Sequence, residues 1–267
     1  MRRADWLDRL GRFLAERLDA PRPGSEPYTH ANVAALRRVL EPGDVLLIEG
    51  HTRVSVAIQY LTMSTWSHAA LFVGNAVGRV SDDAEPLSLV EVDLREGCIA
   101  VPLSKYESYN TRICRAARLS PGDRARVVDF MVASLGKRYD MKNITDLLRY
   151  FLPQPPVPRP WRRRMLAFGS GDPTRAICSS LIAQAFGQVR YPILPRITRD
   201  FRADDRARNQ RREILHIRHH SLYAPRDFDL SPYFQIVKPT LEAGFDYRTL
   251  VWSDAAPADT GRATRPR

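Results

Sequence analysis

Short apolar runs separated by turn residues occupy most of the segment between residues 45 and 117. Apolar runs of this length that end at glycine or at charged residues are typical of strands. The pattern therefore predicts a series of strands in the first half of the chain. The strand candidates are 45–48, 68–74, 87–94, 98–106 and 109–117. The run 54–62 fits either a strand, because its apolar residues partly alternate, or a helix that leads into the next strand.

Helices are predicted mainly downstream of these strands. Ser120 is a suitable N-cap, Pro121 suits a first turn and Gly136 ends the segment, so we expect a helix over 120–136. Another helix is predicted to begin at Cys178, because apolar residues recur three, four, seven and eight positions after it. We also expect a helix over 143–152 and a solvated helix or loop over the charged stretch 199–214.

Both ends of the chain and one internal segment differ in composition from the rest. Residues 5–18 carry Trp, Phe and Leu at helical spacing, which predicts an amphipathic helix within an N-terminal helix-and-linker segment, 1–30. Such a helix either packs on the domain or lies on a membrane surface. Residues 31–252 are predicted as one folded domain with a Pro- and Arg-rich insertion at 153–174. The tail, 253–267, is predicted to be disordered.

The charge of the chain is strongly positive but almost entirely due to arginine. Its 267 residues have a formal net charge of +11, and only four of the 41 basic residues are lysine. A positive excess is typical of proteins that bind nucleic acid or anionic lipid. Lysine scarcity favours instead a general arginine bias of the source genome. Acidic residues are interspersed and no groove-reading motif is present, so nucleic-acid binding is not favoured.

No part of the sequence resembles a membrane span or a secretory signal. Charged residues interrupt the apolar runs near the N-terminus, and no run approaches the length of a transmembrane helix. The three cysteines, Cys98, Cys114 and Cys178, form neither a CxxC motif nor a disulfide framework. We therefore expect a cytoplasmic protein with reduced thiols, no metal and no cofactor, and peripheral membrane contact only through residues 5–18.

Cys178 is the candidate nucleophile. The N-terminus of a helix lowers the pKa of a thiol, because the macrodipole and the free backbone N–H groups favour the thiolate. The N–H groups of Cys178 and Ser179 would also be free to bind an oxyanion. Taken alone, a cysteine at this place is more often an inert buried thiol. Cys98 and Cys114 lie within strand candidates, and we interpret both as structural.

A thiol nucleophile needs an imidazole and a group that orients it. Of the six histidines, His68 is distinctive because it opens an apolar strand, where an imidazole without a partner is unfavourable. Glu91 lies inside another apolar run, on a strand that could pair with that of His68, and would fix the tautomer of the imidazole. Taken singly, His68 fits a core histidine whose hydrogen bonds are satisfied, and Glu91 fits an exposed residue of a strand. Together with Cys178 they favour a triad without deciding it.

Several motifs resemble a known family when they are taken in order. They are PGDVLLIEG (42–50), STWSHAALFVG (64–74), LVEVDL (89–94), LGKRYD (135–140), CSSLIAQAF (178–186) and YAPRDFDLSPYFQIVKP (223–239). The set resembles the circularly permuted papain-like hydrolases of the NlpC/P60 superfamily, and most of all their YiiX/YebB-like (lipo-like) branch. In that pattern a histidine at a strand start comes first, a glutamate on the next strand second, and a cysteine last.

The resemblance covers about residues 40–240 and implies both a fold and an activity. The implied fold is α+β, with a small antiparallel sheet or barrel packed on the helix that bears the cysteine. The implied catalytic domain (31–252) would be a hydrolase or acyltransferase that cleaves an amide or ester bond through an acyl-enzyme at Cys178. His68 would be the base and Glu91 its orienting group. Ser179 and Tyr139 would help to bind the oxyanion or the substrate.

Two departures from the family pattern and one alternative function stay open. Ser180 stands where the branch commonly has glutamate, and the segment before Cys178 is lengthened by the insertion. The substrate would be a small-molecule, peptide or lipid acyl compound. The alternative is a degenerate papain-like scaffold that binds a lipid or membrane surface without catalysis.

Overall fold

A computed structural model describes residues 33–78, 84–93, 96–137, 177–200, 212–216 and 219–249. The predictions for 1–30, 143–152, 153–174 and 253–267 lie outside these ranges, and so does Tyr139. The amphipathic helix over 5–18 therefore stays a prediction.

A six-stranded antiparallel sheet forms the centre of the described fold. The strands are β1 (Val45–Ile48), β2 (His68–Phe72), β3 (Leu89–Asp93), β4 (Gly97–Val101), β5 (Thr111–Ala116), β6 (Arg196–Asp200), β7 (Arg212–His216) and β8 (Phe234–Val237). The sheet has the strand order β4-β3-β2-β1-β5-β8, and β6 and β7 form a separate antiparallel pair.

Helices before, between and after these strands cover the sheet, so the expected α+β class is confirmed. The α-helices are α1 (Val33–Val39), α2 (Arg53–Thr62), α3 (Pro121–Val132), α4 (Ile177–Gln188), α5 (Pro225–Leu230) and α6 (Pro239–Glu242). Short 3₁₀ turns lie at Leu103–Tyr106, His220–Leu222 and Tyr247–Thr249. None of the helices in the described ranges combines the length and apolar character that a membrane span needs.

Alternate side chains of the strands divide between two cores, one on each face of the sheet. This division follows from the two-residue period of a strand. On one face, Leu71 and Val90 belong to the same core as Ile182 and Phe186 of α4. On the other face, Leu89 belongs to a core with α1 and the 103–106 turn. The sheet is therefore covered on both faces, and α4 packs against β2 and β3.

Local capping decides the run 54–62, which the sequence left open between helix and strand. Thr52 is the N-cap of α2, and its side-chain oxygen accepts a hydrogen bond from the Ser55 N–H at 3.2 Å. Met63 closes the helix in the left-handed conformation, with a φ of 48°. The helix expected over 120–136 begins as predicted, after the Ser120 cap, but ends at Val132.

Two sequence expectations are wrong. The strand expected over 98–106 ends at Val101, because Pro102 cannot donate to the ladder, and a 3₁₀ turn replaces its second half. The charged stretch 199–214 was expected to be a solvated helix or loop, which is wrong at its two ends, since these belong to β6 and β7; residues 201–211 lie outside the described ranges. In that pair, Arg199 stands opposite Glu213 and Asp200 opposite Arg212 in the register.

Candidate active site

Cys178 is held at the start of α4 by the packing of that helix on the sheet. It is the second residue of α4 and is only 7% exposed, because the same helix buries Leu181 and Ile182 in the core. Its sulfur contacts the His68 side chain and the backbone N–H of Ala69 on β2. The Ser179 hydroxyl lies 3.9 Å from the same sulfur. The helix therefore brings its thiol to the first residues of β2.

The loop between β1 and β2 fixes His68 at the beginning of its strand. His68 stands opposite Ile48 in the ladder, and the preceding Ser67 donates its N–H to the Ile48 carbonyl at 3.1 Å. The Gly50 N–H donates in turn to the Ser67 hydroxyl at 2.9 Å. A Cβ atom on Gly50 would lie 2.2 Å from the hydroxyl oxygen of Ser55, so this close approach requires glycine.

Glu91 reaches His68 across the pairing of β2 and β3. In this ladder Leu71 stands opposite Val90, and the same register puts Glu91 opposite Ala70, two residues from His68 on the same face. The His68 Nε2 and Glu91 Oε2 atoms are 3.1 Å apart. Because Nε2 is engaged by Glu91, Nδ1 is the ring nitrogen left for the thiol of Cys178. The structure thus brings together the three residues that the sequence singled out.

Two further residues contact the Glu91 carboxylate, and sequence reasoning missed both. Lys105 Nζ donates to Glu91 Oε1 at 2.5 Å, and the Tyr106 hydroxyl donates to Glu91 Oε2. Both lie in the 103–106 turn, inside the run that was predicted as a strand. The only signal in the sequence was Pro102, which stops the strand and lets the chain turn back over β3.

Burial opposes charge on all three members of the candidate triad, yet their mutual contacts outweigh it. Burial disfavours the His68 imidazolium, but the Cys178 thiolate and the Glu91 carboxylate raise its pKa to about 10. Burial disfavours the Glu91 carboxylate, but His68 and Lys105 hold its pKa at about 2. Burial also disfavours the Cys178 thiolate, but His68 and the Ala69 N–H bring its pKa below that of an ordinary thiol. The site favours a thiolate–imidazolium pair.

Solvent can reach the site through His68. A quarter of the His68 side chain is exposed, whereas Glu91 is almost completely covered. The imidazole is therefore open on one side while its orienting carboxylate is shielded. The exposed edge of the imidazole leaves His68 within reach of a proton on a bound molecule, as a general base must be.

In the part of the chain that the structure describes, Ser179, His51 and the other two cysteines make no contact with the Glu91 carboxylate like those of His68, Lys105 and Tyr106, and each has a different environment. Ser179 is fully buried next to Cys178. His51 stacks on Tyr109 with ring centroids 5.4 Å apart, and its buried Nε2 has no hydrogen-bond partner among the described residues. Burial raises the pKa of the Cys98 thiol to about 11 and raises that of Cys114 further. Within the described ranges, no three His, Cys, Asp or Glu side chains are grouped so that they could hold a metal ion.

The chain has a low but measurable likeness to known structures. No protein-family model matches it, and no curated protein matches it. It is similar to the crystal structure of the metalloprotein yiiX from Escherichia coli O157:H7, with a TM-score of 0.41 and 15% sequence identity. The likeness covers 74% of this chain and 96% of that chain. At this level it carries no conclusion about chemistry, which rests on the contacts of the site itself.

Proposed function

We propose that this chain is a cysteine-dependent hydrolase or acyltransferase of the circularly permuted papain-like type, which cleaves an amide or ester bond. One observation carries the proposal: the Cys178 thiol contacts the His68 imidazole, whose Nε2 atom lies 3.1 Å from the buried Glu91 carboxylate. This is the arrangement of nucleophile, base and orienting group that thiol catalysis needs.

In the acylation step, the Cys178 sulfur attacks the carbonyl carbon of the substrate and a C–S bond forms. The carbonyl π electrons move to oxygen, and the backbone N–H groups of Cys178 and Ser179 would stabilise the oxyanion. When the oxyanion collapses, the bond to the leaving nitrogen or oxygen breaks. The leaving group takes its proton from the His68 imidazolium. The product of this step is a thioester on Cys178.

In the deacylation step, His68 takes a proton from water or from an acceptor alcohol or amine. The activated oxygen or nitrogen attacks the thioester carbonyl, the C–S bond breaks, and the imidazolium returns its proton to the sulfur or keeps it in the ion pair. Glu91 holds the ring so that one nitrogen faces the sulfur throughout. Water as acceptor gives a hydrolase, and an alcohol or amine gives an acyltransferase.

The thioester is the species that tests this proposal. The protein is mixed with p-nitrophenyl acetate, quenched in acid and measured by intact mass, followed by peptide mapping. We expect one acetyl group per chain, located on Cys178 and lost over time by hydrolysis. The Cys178→Ala variant should acquire no acetyl group at short times.

The other two cysteines provide the matched control. A Cys98→Ala/Cys114→Ala variant keeps Cys178 as the sole cysteine of the chain. It should be acetylated at the rate of the unaltered protein, with folding checked by circular dichroism. Acetylation that survives Cys178→Ala, or a protein that takes up no acetyl group while remaining folded, would overturn the proposed function.

A further inference from the structure

Two residues outside the candidate triad also donate hydrogen bonds to the Glu91 carboxylate. We propose that Lys105 and Tyr106 are positioning residues, which together fix the Glu91 carboxylate and its charge so that His68 is held toward Cys178. The inference rests on the proposed function and deepens it, because it assigns the control of the nucleophile to a turn outside the triad.

The turn that carries both residues is itself firmly placed. Pro102 ends β4, and Leu103 is buried in the core beneath β3. The Lys105 N–H donates to the Pro102 carbonyl at 3.3 Å, and the Tyr109 N–H donates to the Tyr106 carbonyl at 3.1 Å. β4 pairs with β3 along its whole length, with Ile99 opposite Glu91, so the turn follows a strand that lies directly beside Glu91. Lys105 and Tyr106 both reach the Glu91 carboxylate from this turn.

Lys105 and Tyr106 donate to different oxygens of the Glu91 carboxylate. Tyr106 donates to Oε2, the oxygen that also faces His68, and Lys105 donates to Oε1. With one oxygen tethered to Lys105 and the other to Tyr106, rotation of the Glu91 carboxylate would break a hydrogen bond at either end. A carboxylate in a fixed plane keeps the ring of His68 in one orientation.

Tyr106 is suited to donate rather than to exchange protons. Its side chain is buried between the sheet and Tyr109, whose ring meets it edge to face at a centroid distance of 5.6 Å. Burial and the neighbouring Glu91 raise the pKa of its hydroxyl well above the ordinary value. The hydroxyl therefore stays protonated and always offers its hydrogen to the carboxylate.

Lys105 balances charge in the cluster. A Cys178 thiolate and a Glu91 carboxylate place two negative charges beside a single imidazolium, and Lys105 supplies the second positive charge. Without it, burial would favour protonation of one of the two anions. The titratable groups around Glu91 are His68 on β2, Asp93 on β3, Cys98 on β4, Cys178 on α4, and Lys105 and Tyr106 on the turn.

The pH profile of Cys178 alkylation tests the role of Lys105. The rate constant with iodoacetamide is measured by peptide mass spectrometry from pH 4 to pH 9. The acid limb of the profile reports protonation of the Cys178 thiolate. In Lys105→Met we expect it to move upward by on the order of one pH unit, because the cluster loses a positive charge and burial then favours protonation of the thiolate. Lys105→Arg keeps the charge and should leave the acid limb close to its original position. Lys105→Gln, which keeps a donor without charge, should show the same upward shift as Lys105→Met.

A distant lysine controls for charge alone. Lys238 is exposed and follows β8, at the edge of the sheet opposite β3 and β4, and Lys238→Met should leave the acid limb in place. Equal shifts in the two methionine variants, or no shift in Lys105→Met, would overturn the role of Lys105. Lys105→Gln serves as the test if Lys105→Met does not fold.

The role of Tyr106 is tested by a different quantity. Tyr106→Phe keeps the cation and the ring, so the acid limb should move less than in Lys105→Met. The rate of Cys178 acetylation by p-nitrophenyl acetate should fall on the order of tenfold, because the ring of His68 is less firmly oriented. An acetylation rate equal to that of the unaltered protein would overturn this role.

Failure of the inference is distinguishable from failure of the proposed function. If the unaltered protein is not acetylated on Cys178, the proposed function fails whatever the turn does. If the unaltered protein is acetylated and the Lys105 and Tyr106 variants behave identically to it, only the positioning role fails.

Discussion

The buried carboxylates of Asp44, which precedes β1, and Glu91, on β3, behave in opposite ways. Asp44 is 1% exposed and precedes β1. The Arg115 guanidinium donates hydrogen bonds to its two carboxylate oxygens at 2.9 and 2.7 Å. Glu91 is 2% exposed and is held by His68, Lys105 and Tyr106. Burial raises the pKa of Asp44 despite its arginine, whereas the contacts of Glu91 lower its pKa to about 2.

The difference lies in what surrounds each carboxylate. Asp44 faces one guanidinium, which is shared with a second acid, Glu41, at 2.8 Å. Glu91 faces an imidazolium and an ammonium together. The first arrangement joins β1 to β5 and needs no proton movement. The second holds a charge next to a group that can exchange a proton, which is the distinction between a structural ion pair and a reactive one.

The cysteines repeat this contrast. Cys114 and Cys178 are both buried, but burial raises the pKa of Cys114 while contact with His68 lowers that of Cys178. Burial alone therefore makes a thiol inert, and an adjacent imidazole reverses its effect.

The largest effect is expected from removal of the imidazole. His68→Gln leaves the Cys178 thiolate without its counter-charge, so alkylation of Cys178 at pH 6.5 should slow on the order of 100-fold. Asp44→Asn, at the other cluster, should leave the rate within about twofold of the original, since no contact joins it to the thiol. If alkylation slows equally in the two variants, the Glu91 cluster does not differ from the Asp44 cluster in its effect on the thiol. The measurement is the rate constant with iodoacetamide.

Arg115→Met should instead reduce stability. It leaves the Asp44 carboxylate buried without a cation, and breaking a pair of this kind lowers the free energy of unfolding by about 3 kcal/mol. Chemical denaturation at pH 7 provides the value. Cys178 alkylation in the folded variant should be unchanged. If the free energy of unfolding falls by less than about 1 kcal/mol, which is what solvent-exposed ion pairs contribute, the Asp44 cluster is not structural.

The two carboxylates should also respond oppositely to acid. The pKa of Glu91 falls from 4.5 when unfolded to about 2 when folded, so its stabilisation is present above pH 4.5 and is lost as pH falls toward 2. This loss amounts to on the order of 3 kcal/mol. The raised pKa of Asp44 gives the opposite slope, since its stabilisation is lost as pH rises. Denaturant titrations between pH 5 and 3 should therefore show a shallower acid loss in Glu91→Gln and a steeper one in Asp44→Asn.

The smallest effect is expected at the inert thiol. Cys114→Ala removes one buried sulfur and should lower the free energy of unfolding by about 1 kcal/mol. The alkylation rate of Cys178 should not change. A slower reaction at Cys178 in this variant would mean that the two thiols communicate through β1, against the separation of the clusters described above.

The sequence predicted those parts of the fold and site that have local signals. The strand His68–Phe72 and the helix at Cys178 were predicted because apolar periodicity and glycine stops act within a few residues. His68 and Glu91 stood out because a polar side chain inside an apolar run is unusual, and the structure places them 3.1 Å apart. Their catalytic roles stay predictions.

The parts that escaped prediction depend on contacts between distant segments. Lys105 and Tyr106 look like ordinary residues of an apolar strand, and only the pairing of β3 with β4 shows that their turn meets Glu91. The pair β6 and β7 was missed because its strands are rich in charged residues and lack the apolar alternation by which strands are recognised. Periodicity within one segment contains no information about either partner.

The pH dependence of Cys178 alkylation in the unaltered protein tests the central claim most directly. If Cys178 is paired with His68, its rate constant with iodoacetamide should be nearly constant from about pH 6.5 to 8.5, because the thiolate is already formed. Cys114, measured in the same digests, should react only when the protein unfolds. A Cys178 rate that rises about 50-fold across this range, as the thiolate fraction of an ordinary thiol of pKa about 8.5 does, would contradict the account.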